Sequence, residues 1–472
     1  MPANIKNICC IGAGYVGGPT MSVIADNCPD IQINIVDINK ERIDLWNSDD
    51  LTDLPVYEPG LDKIIERCRN NNLHFSINLE KNIAAADMIF ISVNTPTKTK
   101  GVGAGKAIDL KWVESSARKI AKFAEGYTII VEKSTLPIRT AETIKKILVS
   151  SETNPENEIN KSQSFDILSN PEFLAEGTAI KDLQNPDRIL IGGENKNAIK
   201  ALKEIYLNWV DESKILLSNL WSSELSKLIA NAFLAQRISS INTVSALCER
   251  TGADISEVAL AIGTDRRIGK YFLKTGPGFG GSCFKKDILN LTYICQYYGL
   301  KEVANYWEEV IKINSWQKKR ITNIVIEKLF GTVSEKKIAI LGFAFKGNTN
   351  DTREAPAIDI CKELLEEECN LIIYDPRVNP NQISIDLDSP NIPLSKMSDM
   401  KGKWAFSKSV IEASKDADAI IILTEWKEFE RIDWSLISKQ MRSPSWVFDT
   451  RSIANLNEAK SFGLNTWRIG NG

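Results

Sequence analysis

Short apolar runs ending in small polar residues alternate along this chain with longer stretches whose apolar positions recur every three or four residues. The first kind reads as strand and the second as helix. Asn7 to Ile11 predicts a strand, a helix follows through about Asn27, and IQINIVD predicts a second strand ending on Asp37. Further strands are expected at Met88 to Val93 and Thr128 to Glu132, each after a helical stretch. The polar stretch Ser151 to Gln163, which contains Pro155, predicts a surface loop. After it FDILS predicts a strand, and Asn170 as N-cap, Pro171 at the first helical position and Gly177 as terminator predict a helix of one and a half turns. From Trp221 to Thr251 there is neither proline nor glycine, which allows one helix of ~46 Å. That is long for one small domain and suits a spine between two, with an apolar seam for a second copy. A further helix is expected over Val303 to Leu329.

The last third repeats the first in outline. KKIAILGFAFKG echoes KNICCIGAGYVG, LIIYDP echoes INIVD, and ADAIIILTEW echoes ADMIFISVNTP. The predicted fold class is therefore α/β, with two Rossmann-like doubly wound domains joined by a long central helix. The boundaries are set at 1–219, 220–328 and 329–472. The second glycine turn has decayed to G-F-A-F-K-G and is not expected to take a dinucleotide.

Composition narrows the function. A chain of 472 residues holds about three domains of ~150 residues. With 43% hydrophobic and 25% charged residues and a net charge of −3, no face is obviously basic, which argues against nucleic acid or a membrane surface as partner. Met1 to Lys6 leads straight into a strand and no apolar run approaches ~20 residues, so a cytoplasmic protein is expected. The nine cysteines are scattered without a C-x-x-C pair, so no disulfide framework and no metal site is suggested. The single histidine, His74, sits in a polar passage and reads as a surface residue. Acids and bases must then come from carboxylates, lysine, cysteine or water.

Four groups of residues carry candidate chemistry. Gly12, Gly14 and Gly17 follow a strand and open a helix, where a dinucleotide fold needs a tight turn and a close approach to pyrophosphate; Asp37 is twenty residues further on. An acid there binds ribose hydroxyls and repels a 2′-phosphate, which favours NAD, although Lys40 and Arg42 weigh the other way. The polar strand ends Asn94-Thr95-Pro96 and Lys133-Ser134-Thr135 read equally as caps and as ligand contacts. Second, Gly276 to Asp287 places four glycines in six residues before Cys283, at the start of a helix and beside Lys285 and Lys286. Such a loop wraps a ligand, and both the helix end and the lysines favour a thiolate. A cysteine after glycines is as readily a small buried apolar residue. Third, Glu172 and Glu176 stand four apart, as do Lys227 and Asn231 on the long helix. The glutamates are an ordinary like-charge pair on a surface, or base and acceptor in a crevice. Lys346, Arg353 and Arg451 fall at strand ends or in the loops after them, and as a set suit a diphosphate.

GAGYVGGPT, YEPGL, SVNTPT, NPEFLAEGTAIKDL, NPDRILIGG, WSSELSKLIANAFLAQRISSIN, GFGGSCFKKD, ILGFAFKGNTNDTRE and FDTR, in this order over nearly the whole chain, resemble the UDP-glucose 6-dehydrogenase family. The resemblance implies an N-terminal NAD domain, a central helical dimer core, a C-terminal UDP-sugar domain and a four-electron oxidation of a sugar C6 alcohol to the carboxylate. Other members act on other UDP-sugars. By carry-over, Cys283 is the nucleophile, Glu172 a base acting through a water held by Thr135 and Asp287, and Lys227 and Asn231 stabilise the oxyanion. NAD would be bound by Gly12, Ala13, Gly14, Tyr15, Val16 and Gly17, by Asp37 and Arg42, and by Val93, Asn94, Thr95, Pro96 and Thr97. Ser134, Thr135, Glu176 and Arg353 complete that set. UDP-glucose would meet Glu172, Phe173, Leu174, Lys227, Asn231 and Cys283, the run from Lys274 through Phe279 to Gly280, and Phe345, Lys346 and Arg451. Arg267 would reach over from a neighbouring subunit of a homodimer or homohexamer. Thr450 departs from the family's glycine before Arg451, which bears on where that arginine sits.

Overall fold

The computed structural model describes residues 5–135, 137–152, 163–399 and 401–471. It divides into two compact units, Met1–Ala230 and Asn231–Gly472. The first is built on an eight-stranded sheet of β1 Asn7–Ile11, β2 Gln32–Val36, β3 Leu73–Ser76, β4 Met88–Ile91, β5 Tyr127–Glu132, β6 Ser164–Ser169, β7 Ile189–Gly193 and β8 Ile215–Ser218. The order is β3-β2-β1-β4-β5-β6-β7-β8. The pairs from β3 to β6 are parallel, and β7 turns antiparallel to β6. β1 and β4 are entirely or almost entirely buried because helices cover both faces, which is why they read as continuous apolar runs. The order reverses between β1 and β4, and in such sheets the crevice beyond those strand ends is where ligands bind.

The second unit carries β9 Lys337–Leu341, β10 Asn370–Tyr374, β11 Trp404–Phe406, β12 Ala419–Ile422, β13 Trp446–Asp449 and β14 Asn465–Arg468. All pairs are parallel, in the order β11-β10-β9-β12-β13-β14. The strand order of the first sheet is thus repeated, as the sequence echoes predict. Ahead of this sheet lie two helices, Phe284–Tyr297 and Lys301–Lys328, which pack on one another. The proline-free stretch forms one helix, Leu220–Thr251, and the division between the units falls inside it.

Two expectations change. No helix forms over Pro171 to Gly177. The Glu172 carboxylate accepts from the backbone N–H groups of Phe173 and Leu174, at 2.8 and 3.1 Å, and the buried Glu58 takes those of Gly177 and Ala179, at 2.7 and 3.0 Å. Side chains therefore occupy the Leu174 and Gly177 donors, which a helix over this segment would have paired with the carbonyls of Asn170 and Phe173. The helix Thr140–Glu152 runs into the segment read as a surface loop, and the rest of that reading, from 153 to 162, lies outside the described residues. His74 is half-buried on edge strand β3, with Nε2 3.2 Å from Gln32 Oε1.

Candidate active site

The turn after β1 is shaped by contacts that leave no room for side chains. Gly12 has φ +110°, and a Cβ there would stand 2.3 Å from the Ser92 carbonyl oxygen; one on Gly17 would stand 2.0 Å from that of Gly12. Gly14 differs, since beyond its own chain neighbours no atom lies within 4 Å of where its Cβ would be. Its backbone is thus open to close approach, as a pyrophosphate needs. The buried Trp46, stacked on Phe75 at 4.8 Å, braces the turn from below by donating its Nε1–H to the Ala13 carbonyl at 3.0 Å. Asp37 holds the turn from the end of β2, accepting from Ala13 N at 2.9 Å, and pairs with Arg42 at 3.3 Å. The two polar strand ends also meet: Ser134 Oγ donates to the Val93 carbonyl at 2.8 Å, and Thr95 Oγ1 to that of Thr135 at 3.3 Å. These residues fit a dinucleotide: an open glycine backbone at a helix N-terminus, a carboxylate at the end of the next strand, and polar strand ends alongside.

Glu172 lies in the same unit. Its carboxylate is 2.9 Å from the ammonium of Lys133, a side chain only 1% exposed. Burial pushes the Glu172 carboxyl up, but the Lys133 cation, followed by that of Lys227, outweighs it and holds the group below its ordinary value. Lys227 also lies 5.3 Å from the centre of the Phe173 ring.

In the second unit the glycine loop is sewn to its surroundings through its backbone. Gly276 N donates to Asn242 Oδ1 at 3.0 Å and the Gly276 carbonyl accepts from Gln317 at 2.9 Å. Asn314 bonds both the N–H and the carbonyl of Phe279, at 2.8 and 3.0 Å, and Gly281 N donates to the Arg353 carbonyl at 2.8 Å. Gly278 and Gly281 have φ of +128° and +85°. A Cβ on Gly280 would lie 2.6 Å from the Glu354 carbonyl oxygen, so glycine is required there by close packing.

Cys283 closes this loop at the N-cap of the helix Phe284–Tyr297, with Sγ 3.5 Å from Ser282 Oγ. Among the described residues it is the one cysteine that is not buried. Burial raises the thiols of Cys9 and Cys361, that of Cys10 to about 12 and that of Cys28 to about 11. The neighbouring lysines are engaged with carboxylates: Lys285 pairs with Glu354 at 2.8 Å, and Lys286 stands 4.0 Å from Asp287. Asp287 is fully buried, one turn along from Cys283, and accepts from Asn231 Nδ2 at 2.6 Å.

The cations expected to grip a diphosphate are placed by different means. Arg451 is fixed by the carbonyls of Leu423 and Phe345, at 2.8 and 3.0 Å, and by Glu425 at 3.1 Å; its Nη1 lies 3.3 Å from the Cβ position of Gly276. Thr450, next to Arg451, is fully buried and donates to the Ile422 carbonyl at 2.6 Å. Lys346 stands 5.5 Å from the Phe345 ring. Arg353 is clamped on Asp351 at 2.5 Å and Arg267 on Asp265 at 2.6 Å; Arg267 and Lys274 are exposed.

Comparison with known proteins follows this division of labour. Residues 6–210 match the NAD binding domain of the UDP-glucose/GDP-mannose dehydrogenase family, residues 221–316 its central domain, and residues 339–456 its UDP binding domain. The chain belongs to that family. UDP-glucose 6-dehydrogenase 4 of Arabidopsis thaliana is 55% identical over 98% of this chain and 96% of its own length, and UDP-glucose 6-dehydrogenase 1 of Glycine max matches to the same extent. A UDP-glucose dehydrogenase structure from Pyrobaculum islandicum superposes with a TM-score of 0.83 at 26% identity, covering 100% of this chain and 99% of its own. For a member of the UDP-glucose/GDP-mannose dehydrogenase family, the residues that sequence reasoning missed are chiefly supports. Trp46, Glu58, Asn242, Asn314 and Gln317 are single residues far in sequence from the turns they hold, and no local pattern marks them.

Proposed function

We propose that this protein oxidises UDP-glucose to UDP-glucuronate through a thiohemiacetal and a thioester on Cys283. It is an NAD-dependent oxidoreductase of its family. The observation that carries the covalent scheme is the contrast among cysteines: eight are buried, and Cys283 stands at a helix start closing a glycine loop. NAD, when bound, accepts a hydride in each of the two oxidations. Its fit rests on Gly14, Asp37 and the paired strand ends.

In the first oxidation C6 loses a hydride and its hydroxyl a proton, leaving an aldehyde. The Cys283 sulfur adds to that carbon, the carbonyl oxygen takes a proton, and the aldehyde is never free. Loss of the second hydride and of the hydroxyl proton gives the thioester. Water then attacks the acyl carbon, the C–S bond breaks, and carboxylate and thiol are released. Glu172 is assigned the proton of that water, with Thr135 and Asp287 orienting it, and Lys227 and Asn231 the developing oxyanion. The cations Lys346 and Arg451 are assigned the diphosphate. Arg353, clamped on Asp351 in the second unit, keeps its assignment to NAD, and Arg267 its assignment to the substrate of a neighbouring copy.

Counting NADH per sugar tests the scheme. The wild-type protein should yield two per UDP-glucose, while Cys283→Ser should cut turnover by roughly a thousandfold or more and stall at the aldehyde level. Two NADH per sugar at wild-type rate from Cys283→Ser would sink the thioester. Assays with other UDP-sugars should show UDP-glucose preferred.

Two further assignments belong to this reading. Phe233, Tyr297 and Tyr306 are 55, 75 and 56% exposed on the central helices, and we assign that apolar surface to a second copy of the chain in a homodimer or homohexamer. Sedimentation should give a mass above the monomer. Among the described residues no helix is long and apolar enough to cross a membrane, and a cytoplasmic location is proposed, to be tested by fractionation.

A further inference from the structure

The register of β5 and β6 pairs Glu132 with Ser169, so the chains leave these neighbouring strands side by side as Lys133 and Asn170. Lys133 is essentially without solvent, yet its ammonium is met on three sides: Asn170 Oδ1 at 3.0 Å, the Tyr206 hydroxyl at 3.2 Å and Glu172 Oε2 at 2.9 Å. The cradle is rigid. Tyr206 donates to Asn170 Oδ1 at 2.6 Å, and Asn170 Nδ2 is tied to the Leu190 carbonyl at 2.8 Å. Glu172 is held from its other end, since Oε1 takes the two backbone N–H groups of Phe173 and Leu174, and Oε2 also lies 3.4 Å from Thr20 Oγ1.

We propose that Lys133 is a positioning residue for Glu172, fixing the direction of its carboxylate and keeping it ionised through the working pH range. This rests on the role given to Glu172 above. A buried carboxylate without a countercharge takes up a proton at higher pH, and a protonated one cannot accept a proton from water. The groups that bear on Glu172 are Lys133 and Tyr206 from the strand-end cradle, Lys227 from the long helix and Thr20 from the helix after the glycine turn. Of these Lys133 is in direct contact, its ammonium 2.9 Å from Glu172 Oε2, and its charge acts more strongly on Glu172 than that of Lys227. The same pairing stabilises the anion and so weakens it as a base. What Lys133 supplies is orientation and charge; of this pair, only Glu172 is assigned contact with the reacting water.

The experiment compares kcat and KM against pH for the full-length enzyme with UDP-glucose and NAD, in Lys133→Met, Glu172→Gln and the double variant. Lys133→Met should lower kcat roughly tenfold or more, leave KM for UDP-glucose within about twofold, and move the acid limb of kcat to higher pH. Lys133→Arg should restore the position of that limb. In the double variant Lys133→Met should add nothing to Glu172→Gln, because a residue that acts through Glu172 is silent once the carboxylate is gone. An unmoved acid limb in a folded Lys133→Met, or a double variant several-fold slower than Glu172→Gln, overturns the proposal. Should Lys133→Met fail to fold, the double variant still decides, since it removes both buried charges together. Glu172→Gln at wild-type rate would instead overturn the role of Glu172 itself.

Discussion

After β1 the chain turns through Gly12, Ala13 and Gly14 directly into a helix that begins at Gly17; after β9, in a sheet of the same strand order, it turns through Gly342, Phe343 and Ala344 and reaches its helix only at Pro356. The first glycine of each turn is pinned alike, with φ of +110° and +89° and a neighbouring strand end where a Cβ would go. The second position differs. Gly14 is open, whereas Ala344 is buried and its carbonyl accepts from Thr424 Oγ1 at 2.6 Å. The acid at the end of the second strand differs in the same sense. Asp37, its side chain 9% exposed, accepts from the Ala13 and Asn39 N–H groups and from the partly exposed Arg42, while Asp375 is buried and spends its oxygens on Phe343, Ala344, Arg377, Val378 and the Trp426 indole. One plan thus serves two ends: a backbone left accessible for a ligand in the first unit, and a turn consumed by internal hydrogen bonding in the second.

If that contrast is right, the two aspartates should fail differently. Asp375→Ala strands several buried donors at once and should cost about 3 kcal/mol or more in urea unfolding, whereas Asp37→Ala should cost about 1 kcal/mol and act mainly on NAD. Equal losses of stability would erase the distinction. The glycine position gives the next effect. Gly14→Ala adds a methyl where no protein atom stands, so the melting temperature should hold while KM for NAD rises roughly tenfold. The reciprocal Ala344→Gly should leave KM for NAD unchanged. A Gly14→Ala protein with normal NAD kinetics would show that the coenzyme does not need that backbone.

Much of this comparison was legible in the chain. The echo of KNICCIGAGYVG in KKIAILGFAFKG foretold two sheets of one topology, and the loss of the middle glycine foretold their divergence. The long helix was equally plain, because 31 residues without proline or glycine leave little alternative. The segment around Glu172 misled, since Asn-Pro-Glu at a strand end has every local mark of a helix start. Its backbone donors are taken by carboxylates, one of them from Glu58 more than a hundred residues away, and local propensity cannot register that. Lys133 was visible only as one of three polar residues at a strand end; its burial depends on Tyr206, which belongs to a distant helix.

The smallest expected effect concerns the corresponding ends of β5 and β13. In the second sheet Asp449 is fully buried but amply bonded, by the N–H groups of Arg451, Ile453 and Ala454 and by Arg468. In the first sheet Glu132 is buried beside Glu224, whose own oxygens cap the next helix through Arg139 N and Ala141 N, at 2.7 and 2.9 Å. Burial first, and the Glu224 charge second, push the Glu132 carboxyl well up, which favours its protonated form. A carboxyl whose folded value is raised binds a proton on folding. Its stabilising contribution is complete below the ordinary glutamate range and declines as pH rises towards the folded value. Glu132→Gln keeps a donor to Glu224 without needing that proton, and so should match the wild-type protein near pH 5 and exceed it in urea unfolding near pH 8. Asp449→Asn should show no such alkaline gain, because its carboxylate is already matched by donors. A Glu132→Gln protein whose stability runs parallel to wild type from pH 5 to pH 8 would mean that the two strand ends are electrostatically alike.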